Sequence, residues 1–265
     1  MNHALSSSGV TVSFVRLIKR YLKGGIIKDF AYEDTEEGSG QGSVCSPILA
    51  NIYMHYILVW WFEECIVPKL KGYGGLVVYA DDFVVCFQYK EEAELFYELL
   101  KKRMKIFGLE MEESKTRLIE FGRMAEQNRK ARGERKPETF EFLGFTHYCS
   151  KSRRGWFRVK RKTSKKKFAK KCRELSQTMR AMRTWRLTDI FRKTNQILIG
   201  YYHYYGITDN GKSLQRMKRK VENLLYYWLN HRSQKRSYNW DGFLELLKAF
   251  PLAKPKIYVN IYQTG

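Results

Sequence analysis

Apolar residues recur at two spacings along this chain, and the two spacings predict two kinds of architecture. Leu76-Val77-Val78-Tyr79 and Phe83-Val84-Val85-Cys86-Phe87 are short runs of β-branched and aromatic residues, which read as strands. Only Ala80, Asp81 and Asp82 lie between them, so the pair reads as a tight hairpin with a carboxylate tip. Helical spacing appears at Val12, Val15, Ile18 and Leu22, ahead of Gly24-Gly25, and at Ala93, Phe96, Leu99, Leu100 and Met104, ahead of Gly108. Pro47 to about Cys65 is a continuous apolar run and reads as a long buried helix, with Ser46 as its N-cap and Pro47 in its first turn. Ile26 to Tyr32 reads as a strand, and Glu33 to Glu37 as an acidic turn. Leu109 to Phe121 looks strand-like, and Gly122 to Pro137 lacks periodicity and reads as a loop. Phe140 to Tyr148 alternates around Gly144 as a hairpin does when another backbone comes close.

Beyond residue 150 the pattern becomes helical. Phe168, Cys172, Leu175, Met179 and Met182 form a stripe following a Ser/Thr cap at 163–164. Thr188 to Tyr205 carries Phe191, Leu198, Tyr201, Tyr202 and Tyr205, and Leu214 to Asn230 carries Leu214, Met217, Val221, Leu224, Leu225, Trp228 and Leu229. Three matching stripes predict a small bundle. Asn239 caps a last helix, Trp240 to Phe250, and Pro251 and Pro255 direct an extended tail. The chain is therefore expected to be α+β, with a mixed domain over 1–150 and a helical one over 151–265.

Charge changes the picture. The 49 Lys+Arg residues against 27 Asp+Glu give a net charge of +22, which calls for a polyanionic partner. An aromatic content of 15% offers stacking faces, so nucleic acid is favoured over an anionic membrane. The longest apolar stretch, Val44 to Phe62, is broken by Ser46, Pro47, Asn51 and His55 and makes a poor membrane span. Five cysteines without CxxC spacing fit neither a zinc site nor a disulfide framework, and no signal peptide opens the chain. A reducing, cytoplasmic compartment is expected. Basic residues concentrate in 151–183, where fifteen Lys/Arg meet one acid, Glu174. A charge run is usually a solvated face, yet this one repels itself strongly without a polyanion. RNA or DNA contact is expected here, with Arg158, Lys160, Arg161, Lys162, Lys165, Lys166, Lys167, Lys170, Lys171 and Arg173 as the candidate cations.

Two further stretches carry candidate chemistry. Adjacent Asp81 and Asp82 either make a solvated turn or supply hard oxygen ligands to Mg²⁺. Carboxylate-held Mg²⁺ ions roughly 3.5–4 Å apart are the apparatus of nucleotidyl transfer. Gly38, Gly40 and Gly42 in Gly-Ser-Gly-Gln-Gly-Ser allow close approach of a phosphate or nucleotide, although such turns before helices are common. Lys115 has two readings: a neutraliser of pyrophosphate, or a solvated lysine.

Taken in order, GQGSVCSPILANIY, YADDFVV, GLEMEESKT and FEFLGF resemble the second half of a reverse transcriptase palm. GYYHYYGITDN, WLNHRSQKRSYNW and PLAKPKIY resemble the thumb and maturase domain of group II intron-encoded proteins. The resemblance runs from about residue 11 to 262. It implies a partial right-hand polymerase palm followed by an all-α thumb/maturase bundle. The implied activity is RNA-directed DNA polymerase (a magnesium-dependent nucleotidyltransferase) coupled to intron splicing and mobility. Asp81 and Asp82 then correspond to two of three metal-binding aspartates, with Tyr79 and Ala80 beneath primer and nucleotide. Gln41 and Gly42 line the nucleotide and template side, and Lys115 lies near the triphosphate. Phe142, Leu143, Gly144 and Phe145 form the primer grip, and the basic helical region clasps intron RNA and the template–primer duplex. Implied partners are group II intron RNA, template RNA, primer DNA and dNTPs, without a membrane.

The sequence departs from that family in two respects. Gly40 stands where the family has proline before the glutamine, which loosens the turn. The family's first catalytic aspartate belongs to an earlier strand, whereas Asp29 and Asp34, the aspartates that precede the glycine loop, fall in a different element. Fingers and half the palm are thus expected to lie outside this chain, as are the DNA-binding and HNH segments of some members. The sequence leaves three readings open: a polymerase completed by a separate N-terminal fragment, an RNA-binding splicing cofactor without catalysis, and a truncated remnant.

Overall fold

A computed structural model describes residues 12–22, 26–28, 31–33, 45–235 and 237–262. The chain forms two compact units, Met1–Leu118 and Ile119–Gly265.

In the first unit α1 (Val12–Leu22) turns Val15, Ile18 and Leu22 to its more buried side, as its spacing predicts. The strand expected over 26–32 is instead an antiparallel pair, β1 (Ile26–Lys28) and β2 (Ala31–Glu33), with Ile26 opposite Glu33. The apolar run after residue 45 opens as α2 (Ser46–Met54), with Pro47 in its first turn and Cys45, not Ser46, at the cap position. It then widens into π-helical turns over His55–Trp60 and Phe62–Ile66 and ends in a 3₁₀ turn, Val67–Lys69. The widening is matched by Arg103, whose Nε donates to Ile57 O at 2.6 Å and whose Nη2 donates to Tyr56 O at 3.3 Å.

Strands β3 (Gly74–Tyr79) and β4 (Asp82–Phe87) pair antiparallel, and α3 (Lys90–Ile106) follows. Ile57, Leu58, Trp61 and Phe62 from the long helix meet Phe96, Leu100 and Met104 from α3 in one core. Leu76, Val78, Phe83, Val85 and Phe87 pack against it from one face of the hairpin. Burying each such side chain contributes about 1.5–3 kcal/mol. Residues 109–118 form no strand. Lys115 N and Thr116 N both donate to Glu112 O at 3.0 Å, so this stretch curls into a turn.

The second unit opens on a short helix where a loop was expected, α4 (Ala125–Ala131). It lacks an apolar stripe and is tied by charge: Arg129 bridges Glu134 at 3.1 Å and Glu138 at 3.5 Å, and Arg132 pairs with Glu120 and Glu134. Strands β5 (Phe140–Phe142), β6 (Phe145–Lys151) and β7 (Phe157–Thr163) form a three-stranded antiparallel sheet. Strand β7 takes up much of the basic run, because Phe157, Val159 and Arg161 find register partners on β6. Four helices follow: α5 (Lys165–Met182), α6 (Leu187–Tyr205), α7 (Gly211–Leu229) and α8 (Trp240–Ala249). The predicted stripes form their core, from Leu175, Met179 and Met182 through Leu198 and Tyr202 to Leu214, Met217 and Val221. Asn239 caps α8, its Oδ1 accepting from Gly242 N at 2.8 Å. The second compact unit begins well before residue 151, because β6 runs through Lys151 and pairs with β7. The division expected at residue 150 came from the sequence pattern, while the packing groups the 140–151 strands with the helices.

The extended tail is a strap. Leu252 enters the core, and Asn195 holds both sides of it, donating to Pro251 O at 3.0 Å and accepting from Ala253 N at 2.8 Å. Further on, Tyr258 N and Val259 N both donate to Gly206 O, and Thr208 N donates to Val259 O. Glycine is required at 206, where a Cβ would lie 2.2 Å from Tyr202 O and 2.6 Å from Lys256 O.

Candidate functional site

The carboxylate hairpin is built by register. Val78 faces Phe83 and Tyr79 faces Asp82, so Ala80 and Asp81 alone make the turn. Closing two strands over two residues demands a left-handed first position, and Ala80 takes it at φ +54° without being glycine. One face of the hairpin is spent on the core. The other carries Val77, Tyr79 and Asp82, all exposed, with Asp81 exposed at the tip. Beside the tip, Asn51, Met54 and His55 of the long helix and Val78, Tyr79 and Ala80 of the hairpin line a cleft of about 500 Å³.

Two adjacent exposed carboxylates fit a hard divalent ion such as Mg²⁺, which keeps several of its waters and takes one or two carboxylates from protein. Among the described residues no group of three or more His, Cys, Asp or Glu side chains converges on one point. Gln41 and Gly42 lie outside the described residues, as do Asp29 and Asp34. Lys115 is exposed and pairs with Glu112 at 3.6 Å.

In the second unit Phe142, Leu143, Gly144 and Phe145 form one turn. Phe142 pairs with Phe145, while Leu143 (φ +48°) and Gly144 (φ +77°) make the reversal. The end of α6 holds it: Tyr204 Oη donates to Leu143 O at 3.1 Å, and Tyr204 and Tyr205 pack on the Phe145 ring at 6.1 and 5.3 Å. From the other side Ser164 N donates to Gly144 O at 2.9 Å. Next to Ser164, fully buried Asn210 accepts from Thr163 N and donates to Tyr205 O, each at 2.8 Å. The YYHYY run is divided by helix geometry, with Tyr201 and Tyr202 buried and Tyr204 exposed. Burial pushes the Tyr201 and Tyr202 hydroxyls well above the ordinary phenol range, so both stay neutral. The Asn210 clamp was invisible to periodicity, because a single polar residue between helices gives no pattern.

The cations divide between two elements. Arg158, Lys160, Arg161 and Lys162 belong to β7, where Arg158 and Lys162 are exposed and Lys160 and Arg161 half-buried. Lys165, Lys166, Lys167, Lys170 and Arg173 are exposed on α5, and half-buried Lys171 pairs with Glu174 at 3.4 Å. Arg158 lies over the Tyr262 ring at 4.0 Å, while Tyr262 Oη donates to Asp209 at 2.5 Å. Arg216 of α7 covers the Phe168 ring of α5 at 5.0 Å, extending the basic surface onto a third element.

An aspartate-tipped hairpin backed by helices, followed by a strand turn and a cationic helical bundle, is the arrangement of a nucleic acid polymerase of the reverse transcriptase class. The family of reverse transcriptases (RNA-dependent DNA polymerases) matches residues 4–147, more than half of the chain, and this protein belongs to that family. Residues 165–242 match the group II intron maturase-specific domain, which assigns it to the group II intron reverse transcriptase/maturase branch. The group II intron-encoded protein LtrA of Lactococcus lactis subsp. cremoris is 26% identical over 121 residues, covering 42% of this chain and 20% of LtrA. An uncharacterized 91 kDa protein in the cob intron of Schizosaccharomyces pombe is 42% identical over 53 residues, covering 20% of this chain and 7% of that protein. The matched regions thus span a fifth or less of each relative. Among the described residues no helix is long and apolar enough to cross a membrane.

Proposed function

We propose that this chain contributes the catalytic hairpin of an RNA-directed DNA polymerase and a maturase surface that binds group II intron RNA. The observation that carries the reading is the β3–β4 hairpin, which spends one face on the core and leaves Tyr79, Asp81 and Asp82 exposed at its end. Asp81 and Asp82 would hold Mg²⁺, which supplies activation of a primer 3′-hydroxyl and charge stabilisation on the departing pyrophosphate. Tyr79 and Ala80 line the adjacent cleft and would support primer terminus and nucleotide. The Leu143–Gly144 turn would grip the primer backbone, since both residues hold left-handed conformations and Tyr204 and Ser164 fix the turn through its two carbonyls. Gln41, Gly42 and Lys115 would serve template and triphosphate. The β7 and α5 cations would neutralise phosphates, and binding should weaken steeply as salt rises.

Primer extension on an RNA template with Mg²⁺ tests the polymerase reading. The chain is assayed alone, with a family segment bearing a further aspartate strand supplied in trans, and as the Asp81→Asn variant. Extension that Asp81→Asn abolishes supports the reading. A second reading, RNA binding that assists splicing without synthesis, is supported by the match of residues 165–242 to the group II intron maturase-specific domain. Tight RNA binding without extension in any mixture selects it. RNA affinity unchanged between low and moderate salt would refute the cationic clasp under both readings.

A further inference from the structure

The hairpin joining β6 to β7 is absorbed by neither the catalytic tip nor the α5 cations. Its sequence is Lys151-Ser152-Arg153-Arg154-Gly155-Trp156. Gly155 N donates to Ser152 O at 3.1 Å and Ser152 N to Trp156 O at 2.7 Å, closing a three-residue loop. Gly155 takes the left-handed position such a loop needs, at φ +82°. A second tie, from Trp156 N to Ser152 Oγ at 3.1 Å, fixes the backbone under the tryptophan. Arg153 and Arg154 are left at the crest.

Three observations point to a ligand. Trp156 is 71% exposed, more than any other tryptophan of the chain, and among the described residues nothing stacks on its ring or accepts from its indole. A single exposed ring is common on protein surfaces, but one set beside unpaired guanidinium groups joins a stacking face to phosphate donors, the combination single-stranded nucleic acid engages. Arg123, Arg153 and Arg154 are exposed and pair with no carboxylate among the described residues; Arg123 lines the same cleft as Trp156, and Arg153 and Arg154 precede it in the loop. Trp156 lines a cleft of about 280 Å³, with Gly122, Arg123, Cys149 and Phe157 among its other lining residues. Its carboxylate, Glu126, is partly answered by Lys151 at 3.7 Å.

We infer that this loop is a contact for single-stranded RNA: Trp156 stacks an unpaired base over the cleft, and Arg123, Arg153 and Arg154 take the flanking phosphates. Stacking selects the single strand, because bases in a duplex already have both faces covered. The free guanidinium groups favour a polyanion over an apolar protein partner. The inference rests on the RNA-binding reading above and adds a specific site and strand state to it.

The test uses the full chain, with fluorescence anisotropy on a labelled short single-stranded RNA and on a blunt RNA duplex of the same sequence. Trp156→Ala is expected to weaken single-strand binding about 5- to 150-fold, the range of one base–aromatic stack. Duplex binding should stay within about twofold, and Trp156→Tyr should recover most of the loss, since any aromatic face serves. Replacing Arg153 and Arg154 by Gln should lower the salt dependence of single-strand binding by about two phosphates. Single-strand affinity unchanged by Trp156→Ala, or an equal loss on duplex, overturns the inference while leaving RNA binding intact. The first of these is also what a protein-docking loop would give. If the unaltered protein binds neither RNA at low salt, the broader reading falls as well. Because Trp156 is exposed, unfolding profiles of the variants should overlay that of the parent.

Discussion

Replacing Asn210 by Ala should destabilise the second unit far more than its single position between two helices suggests. Asn210 is fully buried, and its amide is the partner of two main-chain groups, Thr163 N and Tyr205 O, each at 2.8 Å. Its Nδ2 also donates to Thr163 Oγ1 at 2.9 Å. Truncation leaves Thr163 N without a partner, which costs about 1–3 kcal/mol, and it removes the bonds to Thr163 Oγ1 and to Tyr205 O, which keeps only the donation from Ile207 N at 2.9 Å, for about 1 kcal/mol more. A loss of about 3 kcal/mol is expected. For a unit of this size that lowers the melting temperature by roughly 6–12 °C. In urea the midpoint should fall by about 1 M or more at unchanged slope. Thr163→Val, which removes the hydroxyl but keeps the main-chain donor paired, should cost about 1 kcal/mol and be partly non-additive with Asn210→Ala. The assay is urea unfolding followed by far-UV circular dichroism on both single variants and the double variant. A loss below about 1 kcal/mol for Asn210→Ala would refute the clamp, because another group would then be holding Thr163 N. The clamp also adjoins the Leu143–Gly144 turn through Ser164, so under the proposed reading of that turn as a primer grip the variant should lose primer extension before it loses fold.

Three other outcomes follow from the packing. Arg103→Met should cost about 2–3 kcal/mol in the first unit, since it strips the donors from Ile57 O and Tyr56 O and the cation from the Trp61 ring at 4.9 Å; a loss within about 0.5 kcal/mol on urea unfolding would contradict it. Gly206→Ala should displace the strap, because its Cβ meets backbone oxygens on both sides, and limited proteolysis should cut near residues 254–260 earlier than in the parent; unchanged cleavage kinetics would count against it. His147 is held below its ordinary imidazole range by burial and then by the Arg161 guanidinium, and its ring lies flat on Phe140 at 4.8 Å. Its depressed pKa means that its stabilising contribution is complete above about pH 6.5 and is lost as pH falls through the folded value. Melting temperatures between about pH 7.5 and 5 should fall less in His147→Phe than in the parent, and equal falls would remove His147 as the source.

What the sequence determined by itself was everything set by local pattern. Two β-rich runs separated by three residues can only reverse, so the Asp81–Asp82 tip was legible without coordinates. The stripes of α3, α5, α6 and α7 were legible too, because a 3.6-residue period survives any later packing. Segments whose structure depends on remote partners were not. Helix α4 has no apolar face and stands on ion pairs with residues up to twelve positions away, so it read as loop. The helix after Ser46 read as regular because its π turns are answered by Arg103, 46 residues on. Lys115 looked like part of a strand because its neighbours alternate, yet among the described residues no partner strand meets it and Glu112 curls the chain instead.

Tertiary structure alone decided which residues of each chemical type are available. Tyr201 and Tyr202 became core and Tyr204 surface, a division that identity cannot convey because all three side chains can do either. The basic run was split between a strand and a helix when β7 found its register on β6. The same pairing exposed Trp156 at the loop. Composition predicted a polyanionic partner, but the placement of cations and rings came only when distant segments paired, since burial is a property of the assembled fold and not of any residue in it.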